Sequence, residues 1–128
     1  MQNLYIAATS STPEVDFRFD SHQLSLRGES YPENAHAFFG PIMDAVQAYL
    51  PKLHATTVTL DIQLAYFNSS STKVLLELFG LFNKAAVAGN YVHLNWHYIE
   101  DDETILEFGE EVADDYTALD FHPCAMVG

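Results

Sequence analysis

The densest run of hydroxyls in this sequence is Asn68-Ser69-Ser70-Ser71-Thr72, followed at once by Lys73. Asparagine is a favoured helix N-cap, and the residues after it would offer unpaired backbone N–H groups at the positive end of a helix dipole. Those features suit an attached phosphate, which adds about −1.5 to −2 charge at pH 7 without breaking the helix. Lys73 lies close enough along the chain to offset part of that charge. The same residues also suit a plain helix cap, the commoner use of such a run, so their types alone leave both readings open.

The second group is Glu100-Asp101-Asp102-Glu103, with Glu107 one turn further on. Carboxylate oxygens suit Mg²⁺ or Ca²⁺, but the run has neither the alternating ligand positions nor the glycine of an EF-hand loop. Its plainer role is a solvated helix start, and such an acidic face also suits docking to a basic partner. A metal-binding module or small metal-dependent enzyme built on Asp101, Asp102, Glu103 and Glu107 is the alternative functional class.

The remaining candidates assemble less. His93 and His97 would share a strand face, but four residues of strand separate them by roughly 13 Å, too far for one metal. His22, His36, His54 and His122 fall in unrelated elements, so no zinc site is expected. Cys124 stands near His122 without an orienting partner, and there is no G-x-S-x-G and no glycine-rich phosphate loop. No catalytic set and no cofactor site is expected, which favours a binding or switching module over an enzyme.

Charge narrows the partners. Five Lys/Arg against eighteen Asp/Glu give a net charge of −13 with histidine neutral, which repels nucleic acid and anionic membrane surfaces. All five basic residues precede position 85, while residues 100–120 hold ten of the eighteen carboxylates. The sequence thus separates an acidic C-terminal helix from a nearly neutral serine junction with one lysine. A single cysteine excludes an intrachain disulfide, and no signal-like leader or long apolar run is evident; a soluble cytoplasmic protein is expected.

The elements that would position these groups follow from periodicity. At 48% hydrophobic residues the chain is a folding one, and its 128 residues fit a single domain spanning 1–128. Leu4 to Thr9 reads as a short strand. Val15, Phe17 and Phe19 alternate with polar residues, as do Leu24 and Leu26, giving a hairpin around Ser21-His22. Ser30 and Glu33 have capping-box spacing before a helix carrying Phe38, Phe39, Ile42, Met43, Val46, Tyr49 and Leu50 on one stripe. Gly40-Pro41 predicts a kink or break in that helix, and Pro51 its end.

Thr57 to Phe67 alternates as a strand, and a helix from the serines to Gly89-Asn90 follows. Tyr91 to Tyr98 is a second central strand. Asp101 or Asp102 caps a helix with Ile105, Leu106, Gly109, Val112 and Ala113 inward, and a short strand around Leu119 to His122 ends the chain. The order β-β-β-α-β-α-β-α-β predicts an α/β (α+β) fold: one mixed sheet of five to six strands, an N-terminal antiparallel hairpin and three helices packed on it.

Four segments, Thr9 to Phe17 (TSSTPEVDF), Gly28 to Phe39 (GESYPENAHAFF), Leu64 to Lys73 (LAYFNSSSTK) and Leu94 to Glu103 (LNWHYIEDDE), resemble in order the signature segments of the SiaC-type regulatory phosphoproteins of bacteria. The resemblance covers nearly the whole chain. It implies a STAS-like fold, related to anti-sigma factor antagonists, and a non-enzymatic role. A dedicated serine/threonine kinase would phosphorylate the hydroxyl residue after the Asn of the motif, a PP2C-type phosphatase would reverse it, and the unphosphorylated form would bind a diguanylate cyclase and raise cyclic di-GMP output, favouring biofilm formation.

Carried onto this chain, the acceptor is Ser69, with Ser70, Ser71 and Thr72 as alternates and Asn68 and Lys73 in support. Serine stands here where the family usually has threonine. Tyr66, Phe67, Glu100, Asp101 and Asp102 are the candidate partner-contacting residues.

Overall fold

Alternation builds the sheet. Along the longest strand Val58, Leu60, Ile62 and Leu64 are buried while Thr57, Gln63 and Ala65 are exposed, so one face is apolar and the other meets water. The computed structural model describes residues 1–128. The elements are β1 (Leu4–Ile6), β2 (Glu14–Arg18), β3 (Gln23–Ser30), α1 (Ala35–Tyr49), a 3₁₀ turn (Leu50–Lys52), β4 (Thr57–Phe67), α2 (Ser69–Val87), β5 (Tyr91–Ile99), α3 (Glu103–Asp115) and β6 (Asp120–Met126).

The six strands lie side by side in chain order. β1, β2 and β3 are antiparallel, and β3 to β6 are parallel, each parallel pair joined through a helix. The helices cover the apolar face, where Trp96, Phe17, Phe39, Phe79 and Phe82 are the largest fully buried side chains. The other face, with Asp16, Ser25, Asp61, Asn95 and His122 in one row, carries no helix. The mixed sheet with an N-terminal hairpin and three helices is therefore present, with six strands.

Three local expectations change. Ser30 does not cap α1. It ends β3 as a buried residue, and Asn34 caps the helix instead, its side-chain oxygen accepting from the Ala37 N–H at 3.0 Å. The break expected at Gly40-Pro41 is absent, and α1 runs unbroken from Ala35 to Tyr49. Pro41 removes only the hydrogen bond to the Ala37 carbonyl, and both residues lie on the exposed face of the helix, so the loss does not leave a polar group in the core. β6 is longer than expected, reaching Met126, because it is an edge strand pairing with His93 to Ile99 of β5 and so tolerates Pro123.

Helix α3 is held unusually close to the sheet. The Trp96 indole N–H donates to the Ile105 carbonyl at 2.9 Å. A Cβ on Gly109 would lie 2.6 Å from the Trp96 ring, so only glycine permits that approach. Phe108 completes the contact, its ring 5.8 Å from Trp96 and 4.8 Å from Phe67 at the end of β4.

Candidate functional site

The carboxyl end of β4 turns directly into α2 at Asn68. The Asn68 side-chain oxygen accepts from the Ser71 N–H at 3.0 Å, as expected of the N-cap. Beneath it, the β3–β4 register shifts between Gly28 and Glu29, where Gly28 has φ +123° and Ala65 of β4 is the extra residue, and Ser30 then pairs with Phe67 under the head of α2. The Asn68 N–H donates to the Ser30 carbonyl at 3.0 Å, and the Ser71 hydroxyl donates to the same carbonyl at 3.1 Å. The Ser30 and Ser71 hydroxyls are 2.8 Å apart, and both residues are fully buried.

The four adjacent hydroxyls are thus not equivalent. Ser71 is buried in that pair, Thr72 donates to the Asn68 carbonyl at 3.1 Å, and Ser70 donates to the Asn68 side chain at 3.0 Å. Ser69, the first residue of α2, is exposed, and its hydroxyl has no hydrogen-bond partner within the chain. Lys73 is exposed one turn on and forms no ion pair.

Ser69 lies on the rim of an open groove of about 510 Å³ between the head of α2 and helix α3. Tyr66, Phe67 and Thr72 line its near side, and Asp102, Glu107, Phe108 and Glu111 its far side. Serine junction and acidic helix, which the sequence keeps apart, are therefore two walls of one groove, so Ser69 faces carboxylates rather than a neutral surface. Asp102 is the cap of α3, its side chain accepting from the Ile105 N–H at 3.1 Å. Glu100 and Asp101 lie in the exposed turn before it and do not line the groove.

Next to the groove, exposed Tyr66 packs edge-on against exposed Tyr31, with ring centroids 5.8 Å apart. Tyr31 carries no linear signal as a site residue; it follows the end of β3, whose Ser30 pairs with Phe67 of β4, and so lies beside Tyr66. The oxygens of Asp101, Asp102, Glu103 and Glu107 do not converge: the one set of three close metal-ligating atoms in the molecule lies elsewhere. No helix is long and apolar enough to cross a membrane.

Residues 6–126 match the family described as SiaC family regulatory phosphoprotein. An uncharacterized protein of Pseudomonas aeruginosa strain UCBPP-PA14 is 36% identical over 115 residues, covering 90% of both chains. Among solved structures, SiaC of Pseudomonas aeruginosa is 33% identical, covers 98% of this chain and 100% of its own, and superposes with a TM-score of 0.89. The activator SiaC in a complex with the diguanylate cyclase SiaD from the same organism is 34% identical, with 96% and 99% coverage and a TM-score of 0.88.

Proposed function

Because this chain belongs to the SiaC family of regulatory phosphoproteins, we propose that it is a non-enzymatic cytoplasmic switch, a single domain over residues 1–128, that binds and activates a diguanylate cyclase until Ser69 is phosphorylated. A serine/threonine kinase adds the phosphate and a PP2C-type phosphatase removes it. The cyclic di-GMP made in the unphosphorylated state favours biofilm formation. The observation that carries this reading is the state of the Ser69 hydroxyl: exposed, without a partner, and at the head of a capped helix.

The groove explains how one phosphate acts. A charge of about −1.5 to −2 on Ser69 faces Asp102, Glu107 and Glu111 across the groove. A partner seated over Tyr31, Tyr66 and Phe67 would then have to desolvate a dianion already repelled by carboxylates, and it is released without rearrangement of the sheet. The first N–H groups of α2 and Lys73 keep the phosphorylated chain folded by offsetting part of the charge. Glu100 and Asp101, in the exposed turn before α3, add to the negative charge of this end of the molecule.

The test is cyclase binding and activation by the wild type, by Ser69→Asp and by the kinase-treated protein. Both modified forms lose more than about tenfold in affinity, on the order of 1.4 kcal/mol, and stop activating the cyclase. Equal affinity of all three forms would show that Ser69 does not control the interface.

A further inference from the structure

At the amino end of the same parallel strands, on the face without helices, a second cluster forms across β5 and β6. Strand pairing sets His93 beside Asp120 and Asn95 beside His122, so alternation places His93, Asp120 and His122 together on the open face. The His93 Nδ1 lies 3.1 Å from Asp120 Oδ2, the His122 Nε2 lies 2.9 Å from the same oxygen, and the two ring nitrogens are 3.4 Å apart. The imidazoles stack at a centroid distance of 5.6 Å, and the Tyr91 hydroxyl donates to Asp120 Oδ2 at 3.3 Å.

Three donor atoms therefore form a nearly equilateral triangle with sides of 2.9, 3.1 and 3.4 Å. A tetrahedral metal with bonds of about 2.0–2.1 Å holds its ligand atoms roughly 3.3 Å apart, so the triangle has the size of one tetrahedral face. We propose that His93 Nδ1, Asp120 Oδ2 and His122 Nε2 bind one divalent transition ion of the zinc class, with the fourth position open to water. Two imidazoles and one carboxylate select zinc over the hard cations Mg²⁺ and Ca²⁺, which take all-oxygen sets.

Protonation is compatible with binding. An aspartate carboxyl is ionised at neutral pH and needs no proton removed to act as a ligand. Binding needs a lone pair on His93 Nδ1 and on His122 Nε2, so in the bound chain the ring protons sit on His93 Nε2 and His122 Nδ1. Tyr91 remains an outer partner of the carboxylate, and the net charge of −13 favours a cation.

The test is zinc calorimetry on the tag-free full chain, with Co²⁺ as a spectroscopic probe, comparing the wild type with His93→Ala, His122→Ala, Asp120→Asn and Cys124→Ala. Circular dichroism confirms that each variant is folded. One zinc binds per chain, Co²⁺ gives the visible bands of four-coordination, and each change within the triangle weakens binding by more than about tenfold, beyond the effect of losing an outer partner alone. Cys124→Ala binds as the wild type does. Absence of saturable zinc binding would overturn the proposal, as would binding that the triangle variants leave unchanged or that Cys124→Ala abolishes.

Discussion

The two ends of the parallel strands are built by different means. At the carboxyl end, a contiguous stretch, Asn68 to Lys73, supplies the cap, the proposed acceptor Ser69 and the lysine, and the helices enclose it on one side as a groove. At the amino end, His93 and His122 come from separate strands and meet only through pairing, on a face open to water. The geometry of the first end rests on helix packing and on buried hydrogen bonds beneath Ser69; that of the second needs only the register of two strands. Substitutions in the packing and hydrogen bonds beneath the groove should therefore cost stability, and substitutions at the histidine triangle should not.

The sharpest break of that contrast is Ser71→Asp. It places a charge where Ser30 and Ser71 are fully buried, and it costs about 3 kcal/mol or more, whereas Ser69→Asp, two residues away and exposed, leaves the chain folded. Urea denaturation of the two variants measures the difference. Gly109→Ala follows, because its Cβ would overlap the Trp96 ring. Overpacking of this kind costs about 1–3 kcal/mol and loosens the acidic wall of the groove, seen as a lowered denaturation midpoint and faster amide exchange in α3.

Asn68→Ala removes the acceptor that serves both the Ser71 N–H and the Ser70 hydroxyl. The expected loss is about 1 kcal/mol in the same denaturation experiment.

The amino end answers chiefly to pH. On the helix side of that end, Tyr49 hydrogen bonds to His22 at 2.6 Å, and burial pushes its hydroxyl up to about 12. The folded chain thus holds this proton more tightly than the unfolded chain, so the contribution is complete below about pH 10 and is lost as pH rises toward 12. Alkaline denaturation of Tyr49→Phe should lack that component. The smallest effect is His122→Ala without metal, which should shift stability by no more than about 0.5 kcal/mol, as for other part-exposed positions.

What the sequence discloses follows the same division. Strand alternation and the Asn68 cap are local, and both are legible from residues a few positions apart. Ser30 was not: its S-x-x-E spacing resembles a capping box until a partner 41 residues away, Ser71, engages its hydroxyl. Nor does linear charge reveal that α3 packs its carboxylates opposite Ser69, since Trp96 and Gly109 set that approach. The triangle is hidden for the same reason, because His93 and His122 become neighbours only when β6 pairs along β5.

The most direct measurement of the central claim is intact-mass analysis with peptide mapping after incubation with the cognate kinase, comparing the wild type with Ser69→Ala. The account predicts one phosphate on Ser69 in the wild type and none in the variant. Undiminished incorporation in Ser69→Ala, or no incorporation in the wild type, would contradict it.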